Sequence, residues 1–464
     1  MKTYRKIISI VLSLALVMSL CIVQSPTKTF AGVKIIVGKK LDFDIGSTDT
    51  ILVKGKAKAK SSSKKVAQIK KVKKSGKKTK ITVKGLKVGK ATIKVKVGKK
   101  TKKVKAIVRP RVPKSLSAAL ASQNSAKLSW AKAKGANGYY VYRSATRNGN
   151  YSKIATVKTN TYTNTGLELG KYYYYKVIAY GNKSIVSDAY SNITYVKTWK
   201  LIWKDEFEGT ELDKNKWNNE GATGAGGYGN EELQDYEWNY SEVKDGKFII
   251  KPQFDYNTVS KQPVEHSYYS TKVWTKDTET KKFAKFQYGK FEFRAKMPKG
   301  RGTWAAGWML GYGAGGSWPM CGEIDVFETT SDISKTYIPQ SLHMKKFNGM
   351  PTSSGNKHYD SRIADATTAY HTYGVEWYPT YIKFTIDGKQ TGIYNPDDYV
   401  LEGDATEDMT IWPYKYPFYL IMNCAIGGTL GGKVTPEYWT KIATNGNIET
   451  YQDYLYFDYV RVYQ

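Results

Sequence analysis

Between Glu323 and Glu328 the chain reads Glu-Ile-Asp-Val-Phe-Glu, three carboxylates in a short stretch with apolar side chains between them. Ile324, Val326 and Phe327 suit a β-strand, in which alternate side chains share a face, so Glu323 and Asp325 point the same way. Strict alternation sends Glu328 to the opposite face. One extra residue, inserted as a β-bulge between Asp325 and Glu328, brings it back, and bulges gather near active sites because they re-aim side chains. With the bulge the two glutamates stand roughly 13 Å apart at Cα, at about 3.3 Å per residue. Leaning toward each other, their carboxyls reach roughly 5 Å, the separation of glycosidases that retain anomeric configuration. Three like charges that close do not all ionise freely, so at least one proton is held at neutral pH, and a general acid needs that proton. Two blander readings stand beside this one: a solvated acidic strand edge, and a Ca²⁺ site, since carboxylate oxygens are hard-cation ligands.

The flanks narrow the choice. Trp318 and Pro319 precede the triplet, and the stretch Trp-Pro-Met-Cys-Gly-Glu-Ile-Asp-Val-Phe-Glu resembles the signature of glycoside hydrolase family 16, in its bulge-containing, laminarinase-like branch. That resemblance implies Glu323 as nucleophile, Glu328 as acid/base and Asp325 as the neighbour that tunes and orients them. Further segments resemble the family in the same order: Trp203-Lys204-Asp205-Glu206-Phe207, then Gly229-Asn230-Glu231-Glu232-Leu233-Gln234-Asp235-Tyr236, then Phe457-Asp458-Tyr459-Val460-Arg461-Val462-Tyr463. Asn230 is counted among the substrate contacts, as is Arg294, which lies on the wet face of a strand whose Phe291, Phe293, Ala295 and Met297 face a core. Trp304 and Trp308 share parity; tryptophans fill cores, but beside three carboxylates they also form platforms for apolar sugar faces. Trp318, just before the triplet, is the strongest sugar contact of the three. His343 matches a histidine that the family places beside the acids, against the alternative of a structural histidine. Asn423, a lone amide in the apolar run Phe418–Gly428, needs a partner; the family's N-x-A-x-G-G segment implies substrate. The resemblance also implies a structural Ca²⁺ held by Asp458 with backbone oxygens near Glu206 and Gly246, an Asp458 held by hydrogen bonds alone being the alternative. No cofactor is implied for the chemistry.

These residues need a framework. From Leu201 onward the chain shows strands and Gly/Asn/Asp turns with no sustained helical period, the pattern of a large antiparallel sandwich. The resemblance makes it a β-jelly roll with an open cleft, and residues 199–464 its extent. The 464 residues leave room for further domains. Residues 32–110 alternate Val and Ile with Lys, as in Ala91-Thr92-Ile93-Lys94-Val95-Lys96-Val97, and resemble a bacterial Ig-like domain of the second group. Residues 111–198, with Leu128, Trp130 and the strands Gly138–Arg143 and Tyr172–Tyr180, resemble a fibronectin type III domain. The expected class is therefore all-β, a catalytic jelly roll preceded by two small Ig-like and fibronectin-like sandwiches.

Charge separates these parts. Of the net +33, Gly32–Pro110 carries 27 Lys and Arg against 3 Asp, whereas Trp199–Gln464 holds 29 basic against 35 acidic residues. A nucleic-acid partner is not expected, because stacking aromatics are not interleaved with the lysines; anionic cell-wall polymers suit the basic region better, a merely solvated lysine surface being the alternative. Residues 1–31, with Lys2, Arg5 and Lys6 before an apolar run Ile7–Val23, read as a secretory signal. A secreted or cell-wall location follows, with no membrane partner after cleavage. Cys321 and Cys424 are expected on opposite faces, as packing residues and not as a disulfide.

The expected reaction is retaining hydrolysis within a β-glucan chain, laminarin-type β-1,3 or mixed β-1,3-1,4. Agarase, carrageenase or transglycosylase activity remains open within the same chemistry, and a non-catalytic glucan-binding or adhesion protein outside it.

Overall fold

The computed structural model describes residues 32–182, 184–219, 229–313, 316–330, 336–346, 362–398 and 409–464; the secretory signal expected at residues 1–31 lies outside them. Apart from one α-helical turn, Gly428–Gly431, and two 3-10 turns, Trp238–Tyr240 and Pro396–Asp398, the regular elements described are strands. None of the described helices is long and apolar enough to cross a membrane. The chain divides into two compact units, one made chiefly of residues up to Val196 and the other chiefly of Lys197–Gln464.

In the first unit, two four-stranded sheets enclose an aliphatic core of Ile51, Val53, Ile81, Val83, Ile93, Val95, Val104 and Val108. The alternation read from the sequence is the cause: in Gly89–Val97, Ala91, Ile93 and Val95 are buried while Lys90, Lys94 and Lys96 are exposed. The tyrosine-rich stretch that follows forms a three-stranded and a five-stranded sheet, with Tyr139 and Tyr175 turned inward and Tyr140 and Tyr174 half-buried on the other side.

The second unit is the β-jelly-roll sandwich. Its strands are here labelled β1 (Lys272–Trp274), β2 (Gly289–Lys296), β3 (Thr303–Gly311), β4 (Glu323–Glu328), β5 (Ser341–His343), β6 (His371–Trp377), β7 (Phe418–Ile426) and β8 (Leu455–Tyr463). One sheet runs β1-β7-β3-β4-β5, with Asn218–Asn219 outside β1; the other has β8, β2 and β6 at its centre. Phe291, Phe293 and Ala295 of β2 meet Met309 of β3 and Ile324, Val326 and Phe327 of β4 in one core. Phe327 packs against Phe293 at 6.3 Å and Phe457 at 6.0 Å between ring centroids, contacts that join the two sheets. The opposite face of the β1-β7-β3-β4-β5 sheet is thereby left for polar side chains.

Candidate active site

Register decides where the three acids go. Leu310, Met309 and Trp308 of β3 pair in turn with Glu323, Ile324 and Asp325; the pairing then slips, and Gly307 faces Phe327 and Ala306 faces Glu328. Val326 is the extra residue. Leu310, Trp308 and Ala306 alternate along β3 and share a face, so Glu323, Asp325 and Glu328 share it too. The bulge stands where the sequence requires it, and its cause is visible on the other side: Ile324, Val326 and Phe327 are all fully buried. Gly307 makes room for this arrangement, because a Cβ there would lie 2.4 Å from the Phe327 ring. Gly307→Ala therefore forces Phe327, and Glu328 beside it, out of place. Overpacking of this kind costs about 1–3 kcal/mol, so thermal denaturation is expected to show a Tm lower by several degrees together with a loss of kcat; an unchanged Tm and kcat would mean that the bulge tolerates a methyl group.

Each glutamate is gripped by a named donor. Trp318 Nε1 donates to Glu323 Oε2 at 2.8 Å, and Trp304 Nε1 donates to Glu328 Oε1 at 3.1 Å. His343, paired with Glu323 across β5 and β4, places Nε2 3.1 Å from Asp325 Oδ2 and 3.9 Å from Glu323 Oε1. Burial raises the proton affinity of all three carboxyls. The charge of Asp325 raises that of Glu323 further, and these two share protons as a pair. Glu328 is pushed up to about 7, mainly by burial, with the His343 imidazole opposing and the Glu323 charge adding to it. The trio therefore retains protons near neutrality, as the spacing of the sequence implies. Glu323, Asp325 and His343 also offer ligand atoms within 4.8 Å of one another; the indole N–H groups already aimed at Glu323 and Glu328 favour uncoordinated carboxylates.

A cleft of about 410 Å³ lies over this face, and the acids, Asn230, Trp304, Trp308, Trp318 and Asn423 all line it. Trp318 is 51% exposed and offers the most ring surface. Asn423 does find a partner, but in the protein: its amide oxygen accepts from Trp308 Nε1 at 2.8 Å and its amide nitrogen donates to Tyr236 at 2.9 Å. Tyr419 and Ile421 share its parity on β7, yet both are buried, Tyr419 with Trp274 and Tyr312 against its ring. Cys321 and Cys424 are buried free thiols.

Two sets of expected site residues lie elsewhere. Arg294 is not at the cleft: it sits on β2 in the other sheet, bound to Asp458 and stacked over Tyr370. Its outward parity is as expected, but the outward side of β2 is the far side of the sandwich. Of the ligands named for Ca²⁺, Asp458 is the one carboxylate, and it is held by the protein's own cations, the alternative the sequence left open. Both Glu206 oxygens accept from Arg461 at 2.8 Å, and Asp458 is held by Arg294 and, at 3.3 Å, by Lys247. These carboxylates are already neutralised by the protein's own cations, and Gly246 stands in the turn between Ser241–Lys244 and Lys247–Ile250 with no carboxylate turned toward it by these pairs.

Three polar residues of the cleft, Glu232, Tyr236 and Lys272, escaped the sequence reading. Glu232 accepts from Gln234 at 2.9 Å and Tyr236 at 3.3 Å, and burial raises its pKa. Lys272 Nζ lies 5.6 Å from the Trp308 ring and 5.8 Å from that of Tyr236. Glu232 and Tyr236 stood in the segment that supplied Asn230; Lys272 carried no signal, because only the pairing of β1 with β7 brings it to Asn423.

Residues 252–445 match the family model described as glycosyl hydrolases family 16. The chain is 34% identical over 278 residues to the beta-glucanase of Rhodothermus marinus, covering 57% of this chain and 85% of that protein. It is 36% identical over 276 residues to glucan endo-1,3-beta-glucosidase A1 of Niallia circulans, spanning 38% of that longer protein. The solved laminarinase of Flavobacterium sp. UMI-01 aligns over 57% of this chain and 100% of its own at 33% identity, with a TM-score of 0.46.

Proposed function

We propose, since the chain belongs to family 16 of the glycosyl hydrolases, that this glycoside hydrolase cuts β-1,3- or mixed β-1,3-1,4-glucans internally with retention of configuration. The observation that carries the reading is the slipped register of β4, which sets Glu323, Asp325 and Glu328 on one face of an open cleft. Glu328, with a proton affinity near neutral, protonates the leaving glycosidic oxygen while a Glu323 oxygen bonds to the anomeric carbon. Water then attacks that carbon, its proton passing to Glu328, and the ester bond breaks to return the Glu323 carboxylate. Asp325, held by His343, keeps Glu323 oriented and shares its proton load. Trp318 and Trp304 fix the two glutamates and present ring faces to sugars.

Residues 1–31 are assigned as a secretory signal, 32–110 as an Ig-like module and 111–198 as a fibronectin-type module, the basic first module holding the secreted enzyme on anionic wall polymers. The relatives support the glucan, one being a beta-glucanase and the other a glucan endo-1,3-beta-glucosidase. Incubation with laminarin, lichenan, agarose and carrageenan tests it. Reducing ends are expected from laminarin or lichenan, with the β-anomer appearing first by proton NMR; the α-anomer first would refute retention, and release from agarose or carrageenan alone would refute the substrate.

A further inference from the structure

Strand register arranges the lysines of the first unit in an unusual way. In the sheet ordered Lys40–Asp44, Lys100–Arg109, Gly89–Val97, Ala57–Ser61, Lys60 pairs with Lys94 and Lys94 with Lys103, so three ammonium-bearing residues stand side by side across three strands. The neighbouring row opposes Lys58 and Lys96, and Lys105 follows Lys103 on the same face. All six are exposed, while Ala57, Ile93, Val95, Val104 and Ala106 point into the core. Strands lie about 5 Å apart and same-face neighbours on one strand roughly 7 Å apart. Like charges directly opposite each other destabilise a sheet, and none of these six ion-pairs with a carboxylate among the described residues. The face has two acids, Asp42 and Asp44, at one end, and Asp42 is taken by Arg109 at 2.8 Å and Lys40 at 3.1 Å.

We propose that this lysine ladder binds a linear acidic polysaccharide, whose repeated negative charges lie along the rows and remove the repulsion. The proposal rests on the reading of the basic module as an anchor, and names its face and its ligand. Charge complementarity is the first support. The second is chemical: the ladder is built of Lys, a point charge suited to charge density rather than to the bidentate recognition that Arg supplies. Its outward positions carry no aromatic ring on which bases would stack and no large exposed apolar side chain to enter a lipid surface. The register of these strands is also unbroken, whereas the opposite sheet slips between Ile69 and Lys71 and its rows hold two lysines each, Lys54 with Lys78 and Lys73 with Lys80, none reaching across three strands.

Binding of the full chain to polygalacturonate at low ionic strength tests the idea, with two variants that remove equal charge. Lys60→Gln/Lys94→Gln/Lys103→Gln/Lys105→Gln is expected to raise Kd at least about tenfold, since each lysine near an anionic surface contributes appreciably. Lys54→Gln/Lys73→Gln/Lys78→Gln/Lys80→Gln, on the opposite sheet, is expected to raise it less than about threefold. Wild-type binding should weaken with salt. Relief of repulsion should leave the Tm of the ladder variant equal or higher, showing that the module is folded. Laminarin hydrolysis is read in parallel and should not change, so failure of the anchor and failure of the glucanase are told apart. Equal loss in both variants, no loss in either, or tighter ladder-dependent binding to a DNA duplex or to phosphatidylglycerol vesicles than to polygalacturonate at equal charge would each overturn the proposal.

Discussion

Replacing Glu323 by Gln is expected to lower kcat on laminarin by at least about 10⁴-fold, roughly 5 kcal/mol of lost transition-state stabilisation. An amide of the same shape keeps its place beside Trp318 but has no anionic oxygen to attack an anomeric carbon. KM should change little, because Trp304, Trp308, Trp318 and Asn423 still line the cleft. Glu328→Gln differs in a diagnostic way. It removes a proton donor, worth about 10²–10⁴-fold, and the loss should be large for a sugar leaving group and much smaller for an activated aryl group that departs without a proton. Equal losses on both substrates would take Glu328 out of the acid role. Steady-state kinetics on laminarin and on an aryl glucoside of the same chain length decide between these outcomes.

The second large effect is on stability, and its sign comes from linkage. Folding raises the Glu328 carboxyl from its ordinary 4.5 to about 7. Between those values the folded state binds more protons than the unfolded state, so stability falls as pH rises through this window and stays lower above it. The cost vanishes below the unfolded pKa. With about 1.4 kcal/mol per pKa unit, it approaches about 3 kcal/mol above pH 7. Glu328→Gln should therefore be more thermostable than the parent at pH 8, by about 5 °C at the usual scaling for a unit of this size, and no more stable at pH 4. Differential scanning calorimetry at the two pH values measures it; a variant destabilised at pH 8 would show that the Trp304 bond outweighs the burial of charge. The same shift predicts that kcat/KM falls on the alkaline side near pH 7, as Glu328 loses the proton it must donate. On the acid side it falls as the Glu323–Asp325 pair takes up a further proton. The stability of the enzyme and its activity thus make opposite demands on one carboxyl, which is how buried acids in active sites come to be retained.

Much of this was legible in the residues alone because strands encode their faces with a period of two. That period placed Phe291, Phe293 and Ala295 inward, Trp304 and Trp308 together, and Val and Lys on opposite sides of the basic module. It also exposed the one inconsistency, Glu328 out of phase with Glu323, and so required the bulge that the register contains. What alternation does not encode is which sheet a strand joins. Arg294 is outward on its strand and still remote from the cleft, because β2 lies in the opposite layer beside β8. Lys272 and Glu232, far apart in the chain, reach the cleft through pairings between distant segments that no local pattern announces.

The sequence by itself therefore determined the all-β class and the facing of the alternating strands, since these follow from local spacing and side-chain type, and it put the three acids together once a bulge is placed among them. Only the tertiary structure decided which polar groups meet: that Asn423 is bound by Trp308 and Tyr236, that Glu206 and Asp458 are claimed by Arg461 and Arg294, and that Trp318 and Trp304 hold the two glutamates. Apart from Trp318, five residues before Glu323, those partners come from segments distant in sequence, and the distances between them are set by which strands pair within each sheet.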